Sequence, residues 1–182
     1  MRTTIAAALL WACALGAATA EDEAAPEFAP LPYTANQIRG AMPRGFRCVY
    51  VTTEGEDVVK SVWTVLASDV DGASIEFRTL DAAGTEVGEP EVRRSAWTEL
   101  RDHAQFPAAL TTIQDATIEV PAGAFECWLY TLTVEADGVT TVRRFWFAKE
   151  KPGAPVRFET VRDGALVSRS VLTELQKTPA KK

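Results

Sequence analysis

Hydrophobic and polar residues alternate along most of the chain between residues 46 and 174. A period of two is typical of strands that bury one face, because successive side chains point to opposite sides of a sheet. The alternation predicts nine strands, near 46–53, 58–69, 73–80, 90–94, 113–120, 124–136, 139–148, 156–162 and 165–174. Three pairs of turn residues separate successive strands: Asp71-Gly72, Asp137-Gly138 and Asp163-Gly164. Asp-Gly is the preferred loop of a two-residue type I′ hairpin, so we expect consecutive antiparallel strands.

The hairpin at Asp137-Gly138 predicts which side chains share a face. Its register pairs Ala136 with Val139, Val134 with Thr141, Leu132 with Arg143, Tyr130 with Phe145 and Trp128 with Phe147. One face is then apolar along nearly its whole length, with Trp128, Tyr130, Leu132, Val134, Phe145 and Phe147. The opposite face is apolar only at the end away from the turn, where it carries Cys127, Leu129 and Trp146.

Two short helices are predicted among the strands. The first begins at Thr34, which has capping-box spacing to Gln37, and it ends before Pro43. The second is capped by Ser95 and ends before Pro107, and its apolar face carries Trp97, Leu100 and Ala104. The pattern therefore predicts a mostly β fold (α+β), an antiparallel sheet with two helices packed against it.

The first 20 residues have the pattern of a secretory signal peptide. Arg2 precedes an apolar stretch, and Ala18-Thr19-Ala20 forms a small-x-small cleavage site, so we expect cleavage after Ala20. The apolar stretch is too short for a transmembrane helix, which needs about 20 apolar residues. A lipoprotein with Cys13 as the lipidated residue is the alternative. Both interpretations predict export to the periplasm or beyond, and neither predicts a membrane-spanning chain.

The mature chain is predicted to hold one domain. Residues 21–32 are acidic and rich in Ala and Pro, and residues 176–182 are basic, so both segments are expected to be disordered. Residues 33–175 remain as a single antiparallel β domain. The chain carries a net charge of −6, which argues against a nucleic-acid partner, because an acidic chain gains nothing from neutralising phosphates.

Cys48 and Cys127 both follow a Phe-x pattern, in the stretches FRC and FEC. If their strands were neighbours, the two cysteines could form a disulfide, and Arg47 and Glu126 would lie within diagonal reach on the other face. An exported protein works where disulfides persist, and these two cysteines are the ones that remain after processing. The sequence leaves three roles open: a disulfide, two buried free thiols, or a reactive thiol.

The chain offers little that points to catalysis or to a cofactor. His103 is its one histidine, and Asp102 beside it would point elsewhere on a helix. A cysteine nucleophile would lack an evident base, and no zinc-binding motif or phosphate-binding glycine loop is present. We therefore expect no catalytic residue, metal or cofactor. A hydrolase with an unmarked pair of carboxylates remains an alternative, because acidic residues are abundant.

The segment from Ile118 to Leu175 resembles a group of exported bacterial proteins of unknown function. The shared pattern is V-x-A-G-x-F-x-C, seen here as VPAGAFEC, followed by an aromatic strand, RRFWFA, and a final hairpin. That group looks like distant kin of the LolA-type periplasmic lipoprotein carriers. The resemblance implies a curved antiparallel sheet, or half-open β-barrel, around short helices, with an apolar cavity for acyl chains. It gives structural rather than catalytic roles to Ala122, Gly123, Phe125 and Cys127.

The expected function is that of an exported, non-catalytic binding protein for an apolar ligand such as a lipid or acyl chain. The candidate ligand-binding residues are Trp128, Tyr130, Phe145 and Phe147. The alternative interpretation of these four aromatic residues is a packed core, which is the commoner role of alternating aromatic strands. An envelope module that binds another protein is the first alternative function, and the hydrolase is the second.

Overall fold

The computed structural model describes residues 27–176, which form nine strands, two α-helices and one 3₁₀ turn. The helices are α1 (Ala35–Ala41) and α2 (Trp97–Asp102), and the 3₁₀ turn is Ala108–Leu110. The strands are β1 (Arg47–Glu54), β2 (Asp57–Ser68), β3 (Gly72–Leu80), β4 (Glu91–Ala96), β5 (Thr111–Val120), β6 (Gly123–Ala136), β7 (Val139–Ala148), β8 (Arg157–Arg162) and β9 (Ala165–Gln176). No helix within residues 27–176 is long and apolar enough to cross a membrane.

All nine strands belong to one antiparallel sheet in the order β4-β3-β2-β1-β9-β8-β7-β6-β5. Strands β1 to β4 and strands β5 to β9 are two consecutive meanders, and the pairing of β1 with β9 joins them. Strands β4 and β5 are the two edges, so the sheet is open. The predicted fold class, a mostly β antiparallel sheet with two short helices, is confirmed.

Two of the three Asp-Gly pairs form the predicted hairpin tips. Asp137 and Gly138 have φ values of 53° and 76°, and Asp163 and Gly164 have 48° and 81°, as a type I′ loop requires. Gly72 behaves differently, because it is already the first residue of β3. The pairing of β2 with β3 is as predicted, but the turn lies one residue earlier. There the Asp69 carboxylate accepts the backbone N–H groups of residues 71 and 72.

The predicted N-cap residue is right for α1 and wrong for α2. Thr34 caps α1 through the predicted capping box with Gln37. Helix α2 begins at Trp97 with Ala96 at the N-cap position, and the Glu99 carboxylate accepts the N–H of Ala96 at 2.9 Å. The predicted cap, Ser95, is instead a residue of β4, because its backbone pairs with β3.

The predicted hairpin register of β6 and β7 is confirmed, and its two faces enter different hydrophobic clusters. Tyr130, Leu132 and Phe147 join the cluster that packs under the helices, which also contains Ile38, Met42, Val65, Ile75, Trp97 and Phe106. The opposite face joins a second cluster that contains Cys48, Tyr50, Ile118, Val120, Cys127, Leu129, Trp146, Val156 and Leu172. Alternation along these strands therefore predicted which side chains share a face, although Val134 of the apolar face is exposed.

Residues 27–32 lie against the domain, where the sequence analysis expected a disordered lead-in. The N–H of Ala29 donates to the carbonyl of Phe106 at 2.9 Å, and the Tyr130 hydroxyl donates to the carbonyl of Pro30 at 2.8 Å. These bonds pair backbone groups of Ala29 and Pro30 with the domain. The predicted signal peptide, Cys13, residues 21–26 and residues 177–182 lie outside the described residues.

Candidate functional site

A cavity of about 770 Å³ lies between the sheet, the two helices and the loop 149–156. This volume is within the range of pockets that hold drug-sized ligands, about 300–1,000 Å³. Its lining is dominated by apolar side chains and includes nine aromatic residues: Tyr33, Phe46, Tyr50, Trp63, Phe77, Phe106, Phe145, Phe147 and Phe158. The lining therefore suits an apolar ligand.

One wall of the cavity is a ladder of three aromatic side chains on neighbouring strands. The Tyr50 and Trp63 rings are 5.2 Å apart, and the Trp63 and Phe77 rings meet edge to face at 5.4 Å. Trp63 and Phe77 are direct partners in the β2–β3 register, which places them on one face of the sheet. The Arg93 guanidinium on β4 lies 5.6 Å from the centre of the Phe77 ring and ends the ladder.

A second aromatic wall comes from β7, β8 and the segment after α2. Phe145 stacks on Phe106 at 4.8 Å, and it also stacks on Phe158, its partner in the β7–β8 register, at 6.2 Å. Phe147 lies 6.3 Å from Phe145 on the same strand. The two walls belong to different meanders, so the pairing of β1 with β9 is what brings them to one cavity.

A smaller space of about 170 Å³ continues from the main cavity. The two spaces share Tyr50, Trp63, Ala154, Pro155 and Phe158 in their linings. The remaining residues of the small space are hydroxyl-bearing: Thr52, Ser61 and Ser170. The Thr52 and Ser170 hydroxyls are 2.7 Å apart and hydrogen-bond to each other.

The charged residues that line the cavity are all exposed or half-buried, which places them at its mouth. They are Arg93, Arg101, Glu150 and Lys151. Deeper in the lining, the Tyr33 hydroxyl donates to the carbonyl of Ala148 at 2.6 Å. Burial raises the pKa of Tyr33, so the hydroxyl remains a neutral donor.

The four aromatic residues predicted to bind a ligand are split by the structure. Phe145 and Phe147 line the cavity, but Trp128 and Tyr130 do not. Tyr130 is only 3% exposed and packs on Phe147, so its ring belongs to the packed core. The Trp128 ring is covered by Tyr33, at 6.0 Å, and by Lys149, whose ammonium lies 5.9 Å from the ring centre.

Trp63 and Phe77 are two of the cavity residues that the sequence pattern did not single out. Both lie in strands whose alternation was recognised, and Trp63 shares a face with the buried Val65 just as Phe77 does with Ile75. The pattern could thus have placed both rings on the inner face. It does not tell which inner rings the helices cover, and that distinction separates a cavity wall from a core.

The predicted disulfide between Cys48 and Cys127 is not formed, and both residues are buried free cysteines. The prediction was wrong because β1 and β6 are not neighbours; β9, β8 and β7 lie between them in the sheet. Arg47 accordingly pairs with Glu174 on β9, at 3.0 Å, rather than with Glu126. Burial raises the pKa of the Cys48 thiol to about 12 and that of the Cys127 thiol to about 11. Both thiols therefore stay protonated at neutral pH, and neither is a ready nucleophile.

The cavity does not present the groups of the hydrolase alternative. Among the described residues that line it, Glu150 alone carries a carboxylate, whereas a glycosidase site uses two. The Asp102 carboxylate pairs with Arg101 at 2.6 Å and not with His103. Glu159 on β8 is the buried acidic residue among residues 27–176. Its carboxylate pairs with Arg157 and Arg169, and it does not line the cavity.

Comparison with solved structures finds a similar fold in MucB. MucB alone aligns with a TM-score of 0.52 at 14% identity, over 81% of this chain and 58% of the MucB chain. The MucA/MucB complex of Pseudomonas aeruginosa gives a TM-score of 0.51 at 15% identity, over 80% and 57%. MucB in complex with MucA(peri) gives 0.51 at 16% identity, over 78% and 53%. The chain thus spans a little over half the length of the MucB chains, and at these identities the similarity shows the fold alone.

No protein-family model and no curated protein matches the chain. The sequence pattern from Ile118 to Leu175 is therefore not supported by a match to a family model. The resemblance to the LolA-type carriers stays a prediction, because the similarity to MucB concerns the fold alone.

Proposed function

We propose that this chain is an exported binding protein, periplasmic or secreted, that holds the acyl chain of a lipid in the aromatic cavity without catalysing a reaction. The cavity carries the proposal. Five of its rings are half-buried although they face inward: Phe46, Trp63, Phe77, Phe145 and Phe158. An apolar side chain gains about 1.5–3 kcal/mol on full burial, so rings left half-exposed forgo part of that gain. An acyl chain in the cavity would supply the missing contacts.

The export part of the proposal is supported by the leader of the sequence. Arg2, the apolar stretch and the small residues before Ala20 fit a secretory signal. MucB, which has a similar fold, is found in a complex with MucA(peri). This similarity supports a location in the cell envelope. A carrier in that compartment would keep the apolar chain of its ligand away from water.

The proposal is tested by filling the cavity while leaving the fold intact. Ala154 lines both the main cavity and its smaller extension, so Ala154→Phe would occupy the space a ligand needs. Ala83→Phe is the matched control, because Ala83 lies exposed in the loop between β3 and β4. Nile red, a neutral apolar dye, serves as the fluorescent probe, and a neutral monoacylglycerol serves as the competitor.

We expect the wild-type protein to enhance Nile red fluorescence and the monoacylglycerol to displace the dye. Ala154→Phe should raise the Kd for the dye about tenfold, which corresponds to about 1.4 kcal/mol of binding free energy. Ala83→Phe should leave the Kd unchanged. Melting temperatures near that of the wild type would show that both variants fold. The proposal fails if the wild type does not bind the dye, or if the two variants bind it equally well.

A second candidate function is the binding of another envelope protein. It is favoured by the fold similarity to MucB, which forms a complex with MucA in two of the matching structures. Strands β4 and β5 are free edges of the sheet, and a free edge can pair with a strand of another chain. A photo-crosslinking residue at the exposed Gln114 of β5 should then capture one partner in cells, whereas one at the exposed Ala83 should not. Equal capture from both positions would reject an edge-specific interaction.

A further inference from the structure

Three cationic side chains lie at the mouth of the cavity, although the interior of the cavity is apolar. Arg93 on β4, Arg101 on α2 and Lys151 in the loop 149–156 line it, and Glu150 is the one acid among its lining residues. This arrangement stands out because the whole chain is acidic, with a net charge of −6. A ligand that is only apolar would form no ion pair with these cations.

The three cations differ in whether a carboxylate of the protein forms an ion pair with them. Arg93 is held by Glu91 through Nε and Nη2, and Arg101 donates to Asp102 through Nε. Both pairs lie at the surface, where water screens ion pairs and lets them rearrange readily. Lys151 forms no ion pair with any residue from 27 to 176, although it is half-buried in the cavity lining. Among the three, Lys151 is therefore the cation that has no carboxylate partner among residues 27–176.

We propose that the cavity's ligand is a long-chain fatty acid, whose chain lies between the aromatic walls and whose carboxylate is bound at the mouth by Lys151, with Arg101 and Arg93 as further donors. This inference rests on the proposed function, because it assumes that an acyl chain fills the cavity. A carboxylate head group would supply the ion-pair partner that Lys151 lacks among residues 27–176. Carboxylates form charge-assisted hydrogen bonds with Lys and Arg that are roughly twice as strong as neutral ones. The half-buried position of Lys151 strengthens the attraction by reducing solvent screening.

The inference is tested by comparing ligands that differ only in the head group. Palmitate and its methyl ester have the same chain, and each competes with Nile red for the cavity. We expect palmitate to bind the wild type about tenfold more tightly than the ester, since a charge-assisted hydrogen bond is at stake. Raising the salt concentration should narrow this difference, because salt screens a charge at the mouth.

Variants then test which side chains bind the head group. Lys151→Gln and Arg101→Gln should each remove most of the preference for palmitate over the ester. Lys60→Gln and Arg162→Gln are matched controls, since these cations do not line the cavity, and they should keep the preference. Lys60 is half-buried, as Lys151 is.

The outcomes separate this inference from the proposed function. If palmitate and the ester displace the dye equally well from the wild type, the cavity binds acyl chains but the fatty-acid inference is overturned. If the preference for palmitate survives in Lys151→Gln and Arg101→Gln, the assignment of these side chains is overturned. If neither ligand displaces the dye, the proposed function fails together with the inference.

Discussion

Gly72 is the position where a single added methyl group should do the most damage. It begins β3 beside the end of β4, and a Cβ atom built on it would lie 2.3 Å from the carbonyl oxygen of Ser95 and 3.1 Å from the Cα of Ala96. Contacts under 3.0 Å are essentially never seen for real Cβ atoms, so the β4 backbone would have to shift by about 0.7 Å in Gly72→Ala. The obstacle is backbone, which cannot rotate away as a side chain can.

The expected cost of Gly72→Ala follows from this geometry. Overpacking a well-packed site typically costs about 1–3 kcal/mol, and a clash with backbone belongs at the upper end. We therefore expect the free energy of unfolding to fall by about 3 kcal/mol. For a chain of 182 residues, each kcal/mol corresponds to about 2–4 °C in melting temperature, which gives a loss of about 6–12 °C.

Urea denaturation of Gly72→Ala and Gly40→Ala measures the effect against a matched control. Gly40 lies in α1, and outside its chain neighbours and its own helix backbone no atom lies within 4 Å of its added Cβ, so the same substitution should stabilise there by about 0.5–1 kcal/mol. Because β4 carries Ser95 and Arg93 in the cavity lining, Gly72→Ala should also weaken dye binding. An unfolding free energy for Gly72→Ala within about 0.5 kcal/mol of the wild type would refute the reasoning.

Two further predictions concern buried groups that titrate. Cys48 and Cys127 should resist iodoacetamide in the native protein at pH 8, because burial raises their pKa values to about 12 and about 11, and both should be alkylated in denaturant without a reductant. A mass consistent with a disulfide would contradict this. Burial opposes ionisation of Glu159, but hydrogen bonds from Arg157 and Arg169 outweigh it and hold its pKa below the usual range. Its contribution to stability should therefore be present above about pH 4.3 and lost as the pH falls through the lowered pKa, and Glu159→Gln should flatten this part of the pH–stability profile. An unchanged profile in the variant would be the contrary result.

The parts of the fold that sequence patterns predicted are those set by local chemistry. Asp137-Gly138 fixes a turn with two positive φ values, and once the turn is fixed, the register and faces of β6 and β7 follow. Gly72 shows the limit of this rule, because an Asp-Gly pair also fits a strand that starts at the glycine. The Asp69 carboxylate supplies the turn there instead.

Pairing between distant strands could not be predicted in the same way. The alternation of β1 fits several neighbours equally well, and the similar Phe-x-Cys stretches suggested β6, whereas β9 is the observed partner. The error in the cysteine prediction follows from that choice. The candidate site was partly predicted for a related reason: Phe145 and Trp128 share a face, but Tyr33 covers Trp128 and leaves Phe145 at the cavity.

The central claim is that an acyl chain occupies the cavity between the two aromatic walls, and Trp63 provides a direct test. A fatty acid with bromine atoms in mid-chain quenches only tryptophans that it approaches closely. Trp63 lines the cavity, whereas Trp97, Trp128 and Trp146 do not. At saturating ligand, we predict strong quenching in the wild type and little in Trp63→Phe. Equal quenching in both proteins would place the chain elsewhere, and no quenching in the wild type would contradict the account.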